Sequence, residues 1–195
     1  WGNFQTGVRR VHEAFTDDSF RSDLNDAQLR YTNGSLARFL QTTQLIATTG
    51  IEGQKITYDN NDLYKNRKVP YAADYADGDL NVMPMESDHG THVAGIIAGR
   101  DDTITGVAPN AQLCIMKTFS DVETSARSAW ILAALDYCVV IGVDVINMSL
   151  GTDCGFSREM DKEAISGVYD RIRAAGISIV AAASNSYNST YSSEK

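Results

Sequence analysis

The second half of the chain alternates short apolar runs with stretches of helical periodicity. Residues 113–119 form an apolar run of strand length, and from Ala126 to Ile141 apolar residues recur on one helical face. The alternation continues with a strand at 143–149, an amphipathic helix at 158–175 and a strand at 177–183. This order predicts an α/β fold whose parallel sheet is covered by helices on both faces.

In the preceding part of the chain the apolar residues show a weaker periodicity. This part is rich in Asp, Asn, Thr and Tyr, and only Ala27 to Leu40 shows helical periodicity. We therefore interpret residues 13–67 as an irregular, loop-rich insertion and residues 68–187 as the core of the domain. The working residues of an open parallel sheet collect at the carboxyl ends of its strands, which here are residues 147–151 and 183–186.

The composition excludes several classes of protein. The 195 residues carry 17 Lys and Arg against 25 Asp and Glu, a formal net charge of −8, and 43% of them are hydrophobic. No stretch approaches the ~18 consecutive apolar residues of a membrane-spanning helix. No cluster of Lys and Arg offers the basic face that nucleic-acid phosphates need. We therefore expect a globular protein without membrane insertion and without a nucleic-acid partner.

Acidic residues concentrate just ahead of residue 89. They are Asp74, Asp77, Asp79, Glu86 and Asp88. We interpret them as a solvated acidic loop, because a calcium site built from these carboxylates would lack the spacing of a calcium-binding loop.

The cysteines do not define the fold through disulfides. Cys114, Cys138 and Cys154 are an odd number, and no two of them form a Cys-x-x-Cys pair. Cys114 and Cys138 fall on apolar positions of a strand and a helix, which predicts core residues, and Cys154 is interpreted as a half-buried loop thiol.

The stretch Asp88-His-Gly-Thr-His-Val-Ala-Gly-Ile-Ile-Ala-Gly99 carries the most specific chemistry. Its small apolar residues predict a tightly packed helix, in which Gly95 and Gly99 allow close approach. Imidazoles at the start of such a helix are costly unless they have partners or a task. Zinc is one alternative, but metalloprotease helices space their histidines four apart with a Glu beside the first, whereas His89 and His92 are three apart.

Four motifs, in the same order, resemble those of the subtilisin-like serine proteases, the subtilases. They are Asp88-His-Gly-Thr-His-Val-Ala-Gly95, Gly106-Val-Ala-Pro-Asn-Ala111, Asp144-Val-Ile-Asn-Met-Ser-Leu-Gly151 and Ile179-Val-Ala-Ala-Ala-Ser-Asn185. A fifth segment, Lys68-Val-Pro-Tyr-Ala-Ala-Asp-Tyr-Ala-Asp-Gly-Asp79, is similar to the cell-envelope branch of that family, the lactocepin and C5a-peptidase type. The resemblance implies a three-layer α/β fold, with a central parallel sheet flanked by helices, and hydrolysis of peptide bonds by a Ser-His-Asp triad.

The resemblance also implies roles for individual residues. His89 would be the general base, His92 a structural helix residue, and Asn185 the side-chain donor to the oxyanion of the tetrahedral intermediate. Ser149, Leu150 and Gly151 would offer an exposed backbone edge to which an extended peptide adds as a strand, with Val122 to Ser125 as the facing edge.

The triad aspartate is replaced. The best counterpart of the family's Asp-Thr-Gly motif is Gln5-Thr-Gly-Val-Arg-Arg-Val-His12, so Gln5 occupies the Asp position. A competing placement at Thr48-Thr-Gly-Ile51 also lacks the carboxylate. A Gln side chain brings no charge to stabilise the imidazolium, and the corresponding Asp→Asn change in a trypsin-like triad lowers kcat ~10⁴-fold.

The nucleophile is not found either. The family's serine lies in a Gly-Thr-Ser-Met-Ala motif, and residues 1–195 contain no such sequence. We expect a partial peptidase domain that is incomplete at both ends, starting at Trp1 and with the serine beyond Lys195. The chain alone should not hydrolyse peptides. Cys154 is a candidate substitute nucleophile, but nothing in the sequence lowers its pKa.

We therefore expect a fragment of a subtilisin-like serine endopeptidase. By family analogy it would be secreted or associated with the cell envelope, monomeric, and bound to extended peptide or protein substrates. No cofactor would be required, and any bound calcium would be structural. The alternative is a catalytically inactive pseudoprotease that binds peptides or proteins. A third interpretation, an unrelated α/β metal or cofactor protein, is disfavoured because no Gly-rich phosphate loop follows a strand.

Overall fold

The computed structural model describes residues 2–5, 8–9, 12–20, 24–40, 42–46, 53–85, 87–123, 125–151 and 159–183. Its strands are β1 Gly2–Gln5, β2 Thr42–Ile46, β3 Lys55–Asp59, β4 Tyr71–Asp74, β5 Cys114–Lys117, β6 Val145–Met148 and β7 Ser178–Ala181. Its α-helices are α1 Asn33–Phe39, α2 Asn60–Leu63, α3 His89–Ala98, α4 Ser128–Ile141 and α5 Glu159–Ala174. Three single-turn 3-10 helices, Glu13–Phe15, Asp17–Ser19 and Asp26–Gln28, precede α1.

The main sheet of the described chain is parallel, with the strand order β4-β5-β1-β6-β7. The first strand therefore lies in the middle, between the strands that follow α3 and α4. The predicted β5-α4-β6-α5-β7 succession is confirmed, and so is the helix that begins at His89. The expectation of an α/β fold with a parallel sheet is thus correct.

Apolar side chains form two clusters, one on each side of the sheet. Cys114, Met116 and Ile146 pack with Leu135 of α4 and Ile172 of α5. Neighbouring strand positions point the other way, because side chains alternate along a strand. There Ala72 and Ile115 pack with Ala94 and Ala98 of α3. Burial on both faces explains why β4 and β5 are buried at every position and why the sequence around them reads as apolar runs.

The segment at 13–67 is more regular than the expected loop-rich insertion. It contains α1, α2 and an antiparallel ribbon of β2 and β3. Short-range capping explains part of this order: Thr32 and Ser35 form a capping box at α1, and Asp59 and Asp62 form one at α2. The ribbon is fastened to the main sheet, where the hydroxyls of Thr43 and Tyr71 lie 3.2 Å apart. The weak periodicity at 27–40 yields a helix over only its second half.

Candidate active site

The candidate site lies where β1 ends. Gln5 is the last residue of β1 and is in register with Lys117, the last residue of β5. On its other side Phe4 is in register with Met148, the last residue of β6. The segments that leave β5 and β6 therefore flank position 5, and a cleft between them would have this position at its base.

His89 is the first residue of α3 and is exposed. Its backbone N–H donates to the hydroxyl of Ser87 at 3.3 Å, and the N–H of His92 donates to the carbonyl of Asp88 at 3.0 Å. The helix thus starts immediately after Asp88. An exposed imidazole at a helix start is accessible to a reacting group, as a general base must be.

Two hydrogen bonds hold the chain after Gln5, one to the first turn of α3 and one to the segment that precedes this helix. The N–H of Arg9 donates to Thr91 Oγ1 at 3.0 Å, and the N–H of Val8 donates to the carbonyl of Val82 at 2.7 Å. The Arg9 guanidinium also lies 3.8 Å from the Asp88 carboxylate, but both groups are more than half exposed, so this pair contributes little. Thr91 therefore couples the segment after position 5 to the helix that begins with His89.

The Gly-Val-Ala-Pro motif fixes the other end of α3. The N–H groups of Val107 and Ala108 donate to the carbonyls of Ile96 and Ile97 at 2.9 and 2.7 Å. These are carbonyls that the last turn of a helix leaves without intrahelical partners. A Cβ on Gly106 would lie 2.6 Å from the Gly95 carbonyl oxygen, so the approach requires glycine at 106.

The second histidine of the motif faces a different space from the first. His92 lines an open groove of about 610 Å³ beside α3, together with His12, Phe15, Ile96 and Val107, and His89 is not among its lining residues. Ile96 is 68% exposed. The expectation of a helix packed tightly inside the protein therefore holds only for the face that carries Ala94, Gly95 and Ala98.

The predicted substrate edge follows β6 directly. Ser149 and Leu150 are half-buried, and the Ser149 hydroxyl accepts a hydrogen bond from Asn147 Nδ2 at 3.1 Å. Gly151 is exposed, and a Cβ added to it would meet no atom within 4 Å. Among the described residues, none therefore fills the space beside Gly151, where a peptide strand would be added.

The acidic residues ahead of His89 do not share one environment: Asp88 is exposed, as a solvated loop requires, but Asp74 and Asp77 are buried. Asp74 is fully buried and Asp77 is 6% exposed. Both surround the fully buried ammonium of Lys117, which lies 2.6 Å from Asp74, 3.2 Å from Asp77 and 3.2 Å from Asp121. The expectation failed because the cation that compensates these charges comes from β5, within a run that the sequence marks as apolar. We name these four residues the Lys117 cluster.

The charges of the cluster shift each other's protonation. Burial raises the pKa of Asp74 to about 7, against the opposing attraction of Lys117. Burial also acts to raise the pKa of Asp77, but the N–H of Asp121, the hydroxyl of Ser120 and Lys117 hold it below its ordinary value. Burial acts to lower the pKa of Lys117, but the attraction of the Asp74 carboxylate acts to raise it. The pKa of Lys117 lies above its ordinary value as a result. Lys117 and Asp77 are therefore both charged at neutral pH.

The described residues do not fit a calcium ion at either group of possible ligands. Oxygens of Asp74, Asp77 and Asp121 lie within 4.8 Å of one another, but the Lys117 ammonium already takes the place of a cation among them. The other group is His12, Glu13 and Asp101. There His12 Nδ1 already accepts the N–H of Ala14 at 3.2 Å, and calcium prefers oxygen ligands.

Several residues singled out by the sequence lie outside the described residues. They are Glu86, Asn185, Cys154 and the competing segment Thr48–Ile51. Cys114 and Cys138 are buried free thiols in the core, as expected, and burial raises the pKa of the Cys114 thiol to about 11. Neither is therefore activated as a nucleophile.

Comparison with known proteins decides the family. The subtilase family model, Peptidase_S8, matches residues 17–195. The chain belongs to the subtilase family. A PII-type proteinase of Lactococcus lactis subsp. cremoris is 39% identical to it over 141 residues, which confirms the similarity to the cell-envelope branch. Subtilisin DY of Bacillus licheniformis is 41% identical over 103 residues.

The subtilase relatives are longer than the region they share with this chain. The lactococcal match covers 67% of the chain and 7% of the relative, and the subtilisin DY match covers 52% and 35%. Among solved structures, an epidermin leader peptide processing serine protease from Staphylococcus aureus aligns over 94% of the chain and 36% of its own, with a TM-score of 0.54 and 18% identity. This likeness supports the fold alone. Among the described helices, none has the length and apolarity needed to cross a bilayer.

Proposed function

We propose that the full-length protein is a subtilisin-like serine endopeptidase and that residues 1–195 are part of its catalytic domain. In this proposal residues 68–187 form the core, residues 13–67 are an insertion, and the complete domain is a three-layer α/β fold. The observation that carries the proposal is the attachment of the segment after position 5 to the start of α3, through Arg9 and Thr91. That attachment serves a reaction in which position 5 and His89 act together.

The reaction is acyl transfer to a serine. His89 takes the proton of the serine hydroxyl as the oxygen attacks the peptide carbonyl, and later gives that proton to the leaving amine. Asn185 donates its side-chain amide to the oxyanion, and Ser149, Leu150 and Gly151 hold the substrate as an added strand. We propose that the serine follows Lys195, since residues 1–195 hold no Gly-Thr-Ser-Met-Ala motif and the relatives extend well beyond the matched region. The chain alone would then be inactive.

Gln5 limits this activity in the proposal. A neutral amide at the triad Asp position cannot stabilise the imidazolium of His89, so we expect a loss near the ~10⁴-fold of the Asp→Asn case, or ~5.4 kcal/mol at ~1.36 kcal/mol per decade. Secretion or attachment to the cell envelope, a monomeric state and extended peptide substrates belong to the same proposal. The location and the substrate class rest on the subtilase relatives.

A second function is favoured by Gln5 itself. A subtilase scaffold without the triad carboxylate could act as a pseudoprotease that binds peptides or proteins without cleaving them. The two functions differ in whether a reactive serine is present in the folded protein.

The test is Gln5→Asp in the full-length protein, with Gln5→Asn and His89→Ala as controls. We expect Gln5→Asp to raise kcat by orders of magnitude and to increase labelling by a fluorophosphonate probe, because a carboxylate restores the imidazolium's counter-charge. Gln5→Asn, which is close to Asp in size but uncharged, should leave both low. Strong labelling of the wild-type protein would overturn the assigned role of Gln5. Binding of peptides with no labelling of any variant would favour the pseudoprotease.

A further inference from the structure

The loop after β5 is organised around one hydroxyl. The N–H of Ser120 donates to the carbonyl of Ser125 at 3.0 Å, which closes the loop. The Ser120 hydroxyl oxygen accepts the N–H groups of Val122 and Glu123 at 3.0 and 3.1 Å. Residues 120–123 and 125, which we call the β5 loop, thus take their shape from the buried Ser120.

The Ser120 hydroxyl is in turn held by Asp77. Its proton is donated to Asp77 Oδ1 at 2.6 Å, while Asp77 Oδ2 accepts the N–H of Asp121 at 2.8 Å and the Lys117 ammonium at 3.2 Å. Hydrogen bonds to a charged acceptor are about twice as strong as neutral ones. Because its only proton goes to Asp77, the Ser120 oxygen has its lone pairs free for the two loop amides. Asp77 therefore fixes both the position of the loop and the orientation of its central hydroxyl.

The β5 loop stands beside the candidate site. It begins three residues after Lys117, which is in register with Gln5, while residues 149–151 follow β6 on the other side of β1. The Val122 side chain is 71% exposed, although its backbone N–H is held by the hydroxyl of the buried Ser120. A rigid loop with an exposed apolar side chain is suited to contact an extended peptide lying between these two segments.

We propose that Asp77 is a positioning residue that holds the β5 loop, through Ser120, as one wall of the peptide cleft. This inference rests on the proposed binding of an extended peptide at residues 149–151. It assigns a task to a residue that touches neither the peptide nor the reacting atoms. Lys117 supports it as the buried counter-ion of Asp77.

The experiment is peptide binding and hydrogen exchange on the full-length protein. The probe is a fluorescein-labelled octapeptide, Ser-Ala-Leu-Ala-Ala-Leu-Ala-Ser, titrated by anisotropy against the wild type, Ser120→Ala and Asp77→Asn. Ser128→Ala is the matched control, since Ser128 is an exposed residue at the start of α4, outside the β5 loop. Cleavage is followed in the same samples by mass spectrometry.

We expect Ser120→Ala and Asp77→Asn to weaken binding about tenfold and Ser128→Ala to leave it unchanged. In the wild type the bound octapeptide should slow amide exchange at both 118–127 and 147–151. In the two loop variants the protection at 147–151 should remain and that at 118–127 should be lost. A purely structural role would speed basal exchange without changing this footprint.

The outcomes separate the inference from the function on which it rests. Unchanged affinity and footprint in Ser120→Ala and Asp77→Asn would overturn the role of Asp77 while leaving peptide binding intact. Equal loss of protection at both segments would also overturn it, because the effect would then not be confined to the loop. A wild-type protein that binds no octapeptide would overturn the proposed function and this inference together.

Discussion

Replacing Gly106 by alanine tests how α3, and with it His89, is held. The added Cβ would lie 2.6 Å from the Gly95 oxygen, 2.8 Å from the Ala98 nitrogen and 2.9 Å from the Ile97 carbonyl carbon. All three atoms belong to the backbone of α3 or its end, so no side chain can rotate away to make room. The segment at 106–108 must move outward.

The expected cost follows from what that movement breaks. Overpacking of a close contact costs about 1–3 kcal/mol. The displaced segment also strains three backbone hydrogen bonds, from Gly106, Val107 and Ala108, each with a net contribution of about 0.5–1.5 kcal/mol. Because the bonds would be weakened rather than all lost, we expect the free energy of unfolding to fall by about 3–5 kcal/mol.

The assay is urea-induced unfolding of the full-length protein, followed by the fluorescence of the buried Trp130. Gly34→Ala is the matched control, because Gly34 lies in α1 and a Cβ there would meet no atom within 4 Å. That substitution should stabilise by about 0.5–1 kcal/mol, since alanine restricts the unfolded chain and favours helix. A loss below about 1 kcal/mol for Gly106→Ala would refute the close approach of this segment to α3.

Two further predictions concern other contacts. Thr91→Val removes the acceptor of the Arg9 N–H while keeping the side chain's shape, so the exchange of the Arg9 amide should accelerate and stability should fall by about 0.5–1.5 kcal/mol, whereas Thr91→Ser should behave as wild type. Lys68 is fully buried with its ammonium 2.6 Å from the Pro109 carbonyl, and burial with the nearby Arg100 lowers its pKa to about 7. Between about pH 7 and 8.5, below the range in which the unfolded chain loses its thiol protons, the unfolded Lys68 therefore holds a proton that the folded one has released, so this lysine should make the free energy of unfolding rise with pH by up to about 1.4 kcal/mol per unit. Lys68→Met should abolish this slope in urea titrations across that range, and an unchanged slope would contradict the assignment.

The core of the fold could be predicted because its signals are local. The apolar runs of β5 and β6 correspond to buried strands, and the periodicity of α4 and α5 marks the helix faces that carry the buried residues Leu135 and Ile172. The ribbon of β2 and β3 gives no such signal: Thr43 and Leu45 are buried while their neighbours are exposed, over only five residues. Its pairing depends on contacts with Tyr71 and α4 that lie outside any sequence window.

The Lys117 cluster could not be predicted for the same reason. Lys117 lies 40 and 43 residues from Asp77 and Asp74, and only the parallel register of β4 with β5 brings them together. A lysine at the end of an apolar run and aspartates in a mixed loop are each ordinary in isolation. What the sequence did contain was the unusual concentration of carboxylates, whose compensation required a cation from elsewhere.

We expect substitutions at Gln5 and at Gly106 to have different effects. A change at Gln5 should alter the catalytic activity, whereas a change at Gly106 should alter the stability of the domain. Gln5 is the last residue of the central strand β1. The pairing of β1 with β5 and β6 is made by backbone hydrogen bonds, which a change of side chain does not remove. Under the proposed function, replacing Gln5 by Asp should therefore change the charge available to His89 and leave the strand pairing in place. Gly106→Ala, in contrast, would displace the end of α3 and destabilise the domain. If Gln5→Asp raised kcat without changing the free energy of unfolding, the deficit at position 5 would be one of missing charge. If kcat and the free energy of unfolding both changed, position 5 would act through the packing of β1.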